Sequence, residues 1–226
     1  MDINKLDNPV WHSLNETHSN FALEYGDFKF YHPDFCPFGG FTSLINSNKN
    51  IEAYTNLATN FYVVGDKPNF NNTIILNKDL ICNQMVLNKP IELDISKQIT
   101  KLKTERHLKE LFELVNLVQP GYFKNKTHEL GSYYGIIEND KLIAVTGERM
   151  KMNNFTEISA VITHPNHTGK GYAKQLIKHT SDQIFKDNKT PYLHVANINT
   201  NAIRLYNKLG FQTRRNISFW NLISNH

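Results

Sequence analysis

The chain of 226 residues is long enough for one large domain or two small ones. With 40% hydrophobic and 12% aromatic residues it can bury a core, and its formal charge of +4 is scattered rather than striped, which speaks against a nucleic-acid partner. The longest apolar runs fall far short of a membrane span, the polar stretch from Met1 to Asn20 does not read as a signal peptide, and Cys36 and Cys82 form no CxxC pair, so the expectation is a cytoplasmic protein with no membrane partner.

Up to about Asp66 the periodicity is weak. Trp11, Leu14, Phe21 and Leu23 mark a first helix, Pro33, Pro37, Gly39 and Gly40 a loop, and Ile51 to Thr59 a short helix. Phe61 to Val64 reads as a buried strand ended by Gly65-Asp66. Thr73 to Leu76 and Ile81 to Leu87 read as two strands on either side of Asn77-Lys78-Asp79. A composition shift at Pro90 sets a boundary between an α/β region over 1–90 and a second unit over 91–226.

Beyond that boundary the pattern sharpens. Leu108, Leu111, Phe112, Val115 and Val118 share one face of an amphipathic helix, which Pro120-Gly121 stops. Tyr133 to Glu138 and Lys141 to Thr146 flank Asn139-Asp140 as a β-hairpin, with Glu148 to Met152 continuing as strand. The β-branched run in Glu157 to Thr163 predicts a further strand, broken by His164-Pro165-Asn166. Gly169 and Gly171 then lead into a helix carrying Ala173, Leu176, Ile177 and Ile184. Pro191 to Ala196 is the next strand, and Thr200 caps a short helix that Gly210 ends. Phe211 to Leu222 closes the chain as strand, which makes the whole a mixed α/β sheet.

A strand that feeds glycines into a helix N-terminus is a means of holding a phosphate, because the first-turn N–H groups are unpaired and the helix dipole favours negative charge. The run HPNHTGKGYA, His164 to Ala173, is followed by NTNAIRLYNKLGF, Asn199 to Phe211. Together these motifs resemble the GNAT superfamily of acetyl-CoA-dependent N-acyltransferases. GERM (Gly147 to Met150), TEISAV (Thr156 to Val161) and LHVA (Leu193 to Ala196) are similar to its glycine-N-acyltransferase-like branch. The resemblance implies a mostly antiparallel mixed sheet flanked by helices, acetyl-CoA as co-substrate and no metal. It also implies direct transfer in a ternary complex to a primary amine on a small molecule or peptide. Bacterial members with an extra N-terminal region often carry a degenerate second copy of the fold, and residues 1–90 are the candidate for it here.

The family's phosphate pattern, Gln/Arg-x-x-Gly-x-Gly/Ala, here ends in Thr168-Gly169-Lys170-Gly171-Tyr172-Ala173, with Thr168 in place of the long polar side chain. Backbone N–H groups, the Thr168 hydroxyl and the Lys170 ammonium are then the expected pyrophosphate contacts. Val161 and Thr163 are implied to pair with the pantetheine arm through their backbone, with the Val161 N–H polarising the thioester carbonyl. Glu157 is the candidate general base, provided burial raises its carboxyl above the ordinary ~4.3; a surface or salt-bridged glutamate is the plain alternative, and Glu148 stands in reserve. Tyr206 is the candidate acid for the departing thiolate, against a core tyrosine. Asn199 and Ala202 belong to the same motif, with Asn199 either on the pantetheine or phosphate arm or capping a helix. His164 and His167 lack a third metal ligand, and His194 is read as a hydrogen-bonded strand histidine over a proton shuttle. A CoA-binding sensor without turnover is the alternative function.

Overall fold

The computed structural model describes residues 2–225. Pro9 opens α1 (Pro9–Asn15), where its fixed φ suits a first helical turn, and the helix buries Val10 and Leu14. It ends earlier than the sequence predicts: Phe21 lies in a 3-10 turn, and Leu23 lies in β1 (Ala22–Tyr25), which pairs antiparallel with β2 (Phe28–Tyr31). The predicted loop around Pro33 and Gly40 contains β3 (Phe38–Phe41). Its glycines serve close packing, since a Cβ on Gly39 would collide with the Phe30 ring on the neighbouring strand. Next come α2 (Ser47–Thr55), β4 (Asn60–Val64) and β5 (Ile74–Val86). The two strands expected around Asn77-Lys78-Asp79 are one continuous strand; Asn77 donates to the Asn221 side chain at 2.7 Å and the chain does not turn.

The second part runs through β6 (Thr100–Lys101), α3 (Glu105–Val118), β7 (Tyr133–Glu138) and β8 (Lys141–Lys151). Thr104 caps α3 by accepting from the His107 N–H at 3.2 Å. Asn139 and Asp140 turn the β7–β8 hairpin with φ of 48° and 58°, a left-handed pair that Asn and Asp tolerate best. After β9 (Phe155–Thr163) come α4 (Tyr172–Lys186), β10 (Thr190–Ala196), α5 (Thr200–Lys208) and β11 (Gln212–Ser224). The cap of α5 is Asn199, one residue before the predicted Thr200, and Gly210 ends that helix at φ 92° as expected.

All strands join one sheet in the order β1-β2-β3-β4-β11-β5-β10-β9-β8-β7-β6. Only β3–β4 and β9–β10 pair parallel, so the mixed, mostly antiparallel architecture read from the sequence holds. Helix α3 packs Leu111 and Val115 on Tyr133 and Ile162, whereas α4 packs Leu176 on Tyr134 and Ile136. Tyr133 and Tyr134 are adjacent on one strand, so the two helices cover opposite faces. The boundary expected at Pro90 falls between β5 and β6, and the sheet runs unbroken across it because β5 sits between β10 and β11. No helix among the described residues is long and apolar enough to cross a membrane.

Candidate active site

The site begins where two parallel strands part. β9 and β10 pair only from Phe155↔Thr190 to Glu157↔Tyr192; beyond that, β10 stays paired with β5 on its other side through Ala196. The β9 edge from Ile158 onward therefore opens into a cleft of about 370 Å³, lined on that side by Ile158, Ser159, Ala160 and Val161. Ala160 has a φ of 50°, and the β8–β9 register slips there: Gly147 faces Ser159 while Val145 faces Ile162, leaving an extra residue on β9. This bulge turns the strand's backbone at the cleft, and an L-residue held at positive φ stores strain of order 1 kcal/mol. Val161 and Thr163 have no strand partner on the β10 side of β9, while Thr163 pairs with Ala144 of β8 on the other side.

Beyond β9 the chain forms the glycine loop. Gly169 and Gly171 have φ of 78° and 75°, both left-handed, and no side chain caps the first turn of α4. A backbone concavity of this kind presents N–H groups to an anion. Thr168, Gly169 and Lys170 are exposed, Gly171 and Ala173 half-buried, and the Tyr172 ring is buried with its hydroxyl donating to Glu138 at 2.8 Å. The Thr168 hydroxyl, expected to reach a phosphate, donates instead to the Pro165 carbonyl at 3.2 Å, so it shapes the loop. The diphosphate of a nucleotide fits this loop through its backbone and the exposed Lys170.

Glu157 departs from its expected chemistry. It is fully buried, with Arg149 Nε donating to Oε2 at 2.7 Å, Arg149 Nη2 to Oε1 at 2.8 Å, and His194 Nδ1 to Oε1 at 2.8 Å. Burial pushes its carboxyl up, but the Arg149 charge and hydrogen bonds, joined by the His194 bond, outweigh this and hold it at about 2. The predicted upward shift is thereby corrected, and the salt-bridged alternative describes this residue. His194 does line the cleft. Gln84 fixes the imidazole from the far side: its amide nitrogen, which also donates to the Leu6 carbonyl at 2.7 Å, lies 3.0 Å from His194 Nε2. With Arg214 donating to Gln84 Oε1 at 3.0 Å, the amide has one orientation, and the His194 proton sits on Nδ1.

Tyr206 reaches the cleft from α5, and its burial pushes the phenol up to about 12. Ala202 and Asn199 line the same wall, and Asn199 caps α5 by accepting from the Ala202 N–H at 3.2 Å. Glu148 stays outside, paired with Lys151 at 2.7 Å and accepting from the Ser132 N–H. His164 and His167 stack edge to face, and no group among the described residues has the make-up of a metal site. Cys36 and Cys82 are buried free thiols that burial pushes up to about 12, far from a nucleophile's range. Sequence reasoning missed Arg149, Gln84, Phe38 and Lys78. Arg149 lies in the GERM segment, where nothing in the residues themselves assigns it a role, Gln84 belongs to no motif, and the others lie in the region whose strands are least legible.

The single open, mostly antiparallel sheet flanked by helices matches the fold of the GNAT acyl-CoA N-acetyltransferases. A family model described as FR47-like protein matches residues 133–220, which include the β7–β8 hairpin, the β9 and β10 side of the cleft and most of β11. A putative acetyltransferase of the GNAT family from Novosphingobium aromaticivorans shares the fold with a TM-score of 0.86 and 27% identity, covering 98% of this chain and 99% of that one. A GCN5-related N-acetyltransferase from Kribbella flavida (TM-score 0.65, 9% identity, 100% and 96% covered) shows the same fold. So does a GCN5-related N-acetyltransferase-like protein from Streptococcus suis (TM-score 0.66, 11% identity, 97% and 96% covered). No curated protein sequence matches the chain.

Proposed function

We propose that the protein is an N-acyltransferase that moves the acetyl group of acetyl-CoA to a primary amine by direct transfer. The observation that carries this reading is the opening of β9 from β10 along the strand that leads into the glycine loop, with Tyr206 on the cleft wall. Gly169 to Ala173 would hold the diphosphate, the β9 edge at Val161 and Thr163 the pantetheine amides, and the Val161 N–H the thioester oxygen. The thioester supplies the activated acyl carbon. Likeness to the glycine-N-acyltransferase-like branch stays with the GERM, TEISAV and LHVA segments.

In the transfer a C–N bond forms as the C–S bond breaks. An ammonium acceptor sheds two protons on its way to the amide, and the departing sulfur regains one. Glu157 has no surface in the cleft, so its part is indirect: its carboxylate and the Gln84 amide hold the His194 ring in one orientation on the cleft wall, and the acceptor's protons would leave through water. Tyr206 stays protonated through neutral pH. Because an upward shift makes full proton transfer to a thiolate costlier, the phenol's main part is a hydrogen bond to sulfur as charge develops there. Cys82 lines the cleft, but burial pushes its thiol up to about 12, which supports transfer without an acyl-enzyme.

Calorimetric titration with acetyl-CoA, followed by thiol release with a panel of amines, tests the proposal. Binding with release supports it. Binding without release from any amine marks a sensor, and no binding removes the reading altogether.

A further inference from the structure

The charges around the cleft restrict the acceptor, given the N-acyltransferase reading on which this inference rests. No aspartate or glutamate among the described residues lines the cleft, whereas Arg149 and Lys78 do. Glu157 cannot receive an incoming ammonium, since Arg149 takes both oxygens and His194 one of them. A polyamine would bring positive charge to a wall with no anion to meet it.

Arg149 has donors to spare. It spends Nε and Nη2 on Glu157, while Nη1 has no acceptor among the described residues, and 14% of the side chain stays accessible. Its guanidinium carbon lies 4.7 Å from the Phe38 ring centroid, so the aromatic face holds the group in place. Unspent guanidinium donors in a largely dehydrated site fit a carboxylate, where charge-assisted hydrogen bonds are strongest. The Arg149–Glu157 pair is neutral as a unit. Lys78, which makes no ion pair among the described residues, supplies the net positive charge. Tyr122, Phe123 and Phe219 complete an aromatic wall around the same space.

We propose that the acceptor is an amine carrying both a carboxylate and an aromatic or bulky apolar body, of the kind a large hydrophobic amino acid presents. The carboxylate would dock on Arg149 Nη1 and Lys78, the body on the aromatic wall, and the amine would face the thioester beside His194.

Thiol release from acetyl-CoA with phenylalanine, phenethylamine, glycine and spermidine tests this, in the wild type, in Lys78→Ala, and in a double variant with Arg149→Gln and Glu157→Gln that leaves neither charge buried alone. Phenylalanine should exceed phenethylamine in kcat/KM by on the order of tenfold to a hundredfold, the worth of hydrogen bonds to a charged group. Glycine should fall below phenylalanine, and spermidine should be the poorest. Lys78→Ala should narrow the phenylalanine preference several-fold and the double variant should nearly abolish it; if the double variant does not fold, Lys78→Ala decides alone. Phenethylamine or spermidine matching phenylalanine, glycine exceeding it, or a preference untouched by the variants overturns the inference while the transferase reading stands. Bound acetyl-CoA with no release from any of the four overturns the inference and marks failure of the transferase reading itself.

Discussion

Glu157 and Arg149 keep their charges without solvent because each answers the other with two hydrogen bonds, and His194 supplies a third to the carboxylate. Removing one partner strands the other. Glu157→Gln should therefore destabilise the protein by about 3–5 kcal/mol in urea unfolding, with a smaller loss when Arg149→Gln is added. Two buried groups also set the acid response. His18, pushed by burial down to about 4, is neutral in the folded chain while the unfolded chain takes up a proton from about 6.5. Stability should fall as pH drops across that interval, by on the order of 3 kcal/mol. Glu157, held at about 2 against 4.5, contributes stability that is full above about 4.5 and is lost as pH falls towards 2. Urea midpoints measured down to about pH 3 should show both declines, and His18→Gln should remove the first. For the transfer step, Tyr206→Phe should cost roughly a hundredfold in thiol release while leaving acetyl-CoA affinity near its original value. The left-handed turn at Gly169 and Gly171 is legible in the sequence because only glycine adopts that conformation freely, and the LYNKLGF motif marks Tyr206, which the structure places on the cleft wall. Glu157's ion pair is not legible there: Arg149 lies eight residues back across a hairpin whose register shifts between Glu148 and Lys151, so strand alternation does not bring the two together on paper.

Elements with strong local signals are legible in the sequence. The Asn139-Asp140 turn, the apolar face of α3 and the glycine stop of α5 follow from chemistry within a few residues. β3 looks like a loop in sequence because the close approach that its glycines permit comes from Phe30, on another strand. β5 looks like two strands in sequence because its middle is polar, and pairing with β11 carries it through Asn77 to Asp79. The glycine loop allows a test at this scale. Gly171→Ala and Gly169→Ala place a Cβ on residues at φ 75° and 78°; for Gly169 nothing lies within 4 Å, so the cost there is backbone strain and obstruction of a ligand. Each should weaken acetyl-CoA binding by roughly tenfold or more in calorimetry, at a stability cost of only about 1–2 kcal/mol.

Across the whole molecule, β5 decides what can be removed. It carries the full length of β11 on one edge and β10 on the other, so the strand wall behind the cleft comes from the region before Pro90. A chain limited to residues 91–226 should show no cooperative unfolding transition in calorimetry, because β10 and β11 would each expose a bare edge and Met85 would leave the core it shares with Leu193 and Ile177. Phe38 and Lys78 come from the same early region, so the wall proposed to select the acceptor and the strand that closes the sheet are supplied together. During synthesis, that strand leaves the ribosome long before either neighbour exists. One edge must wait for β10 and the other for β11, more than a hundred residues downstream, and a chain lacking β11 would leave that edge of β5 bare and exposed to aggregation.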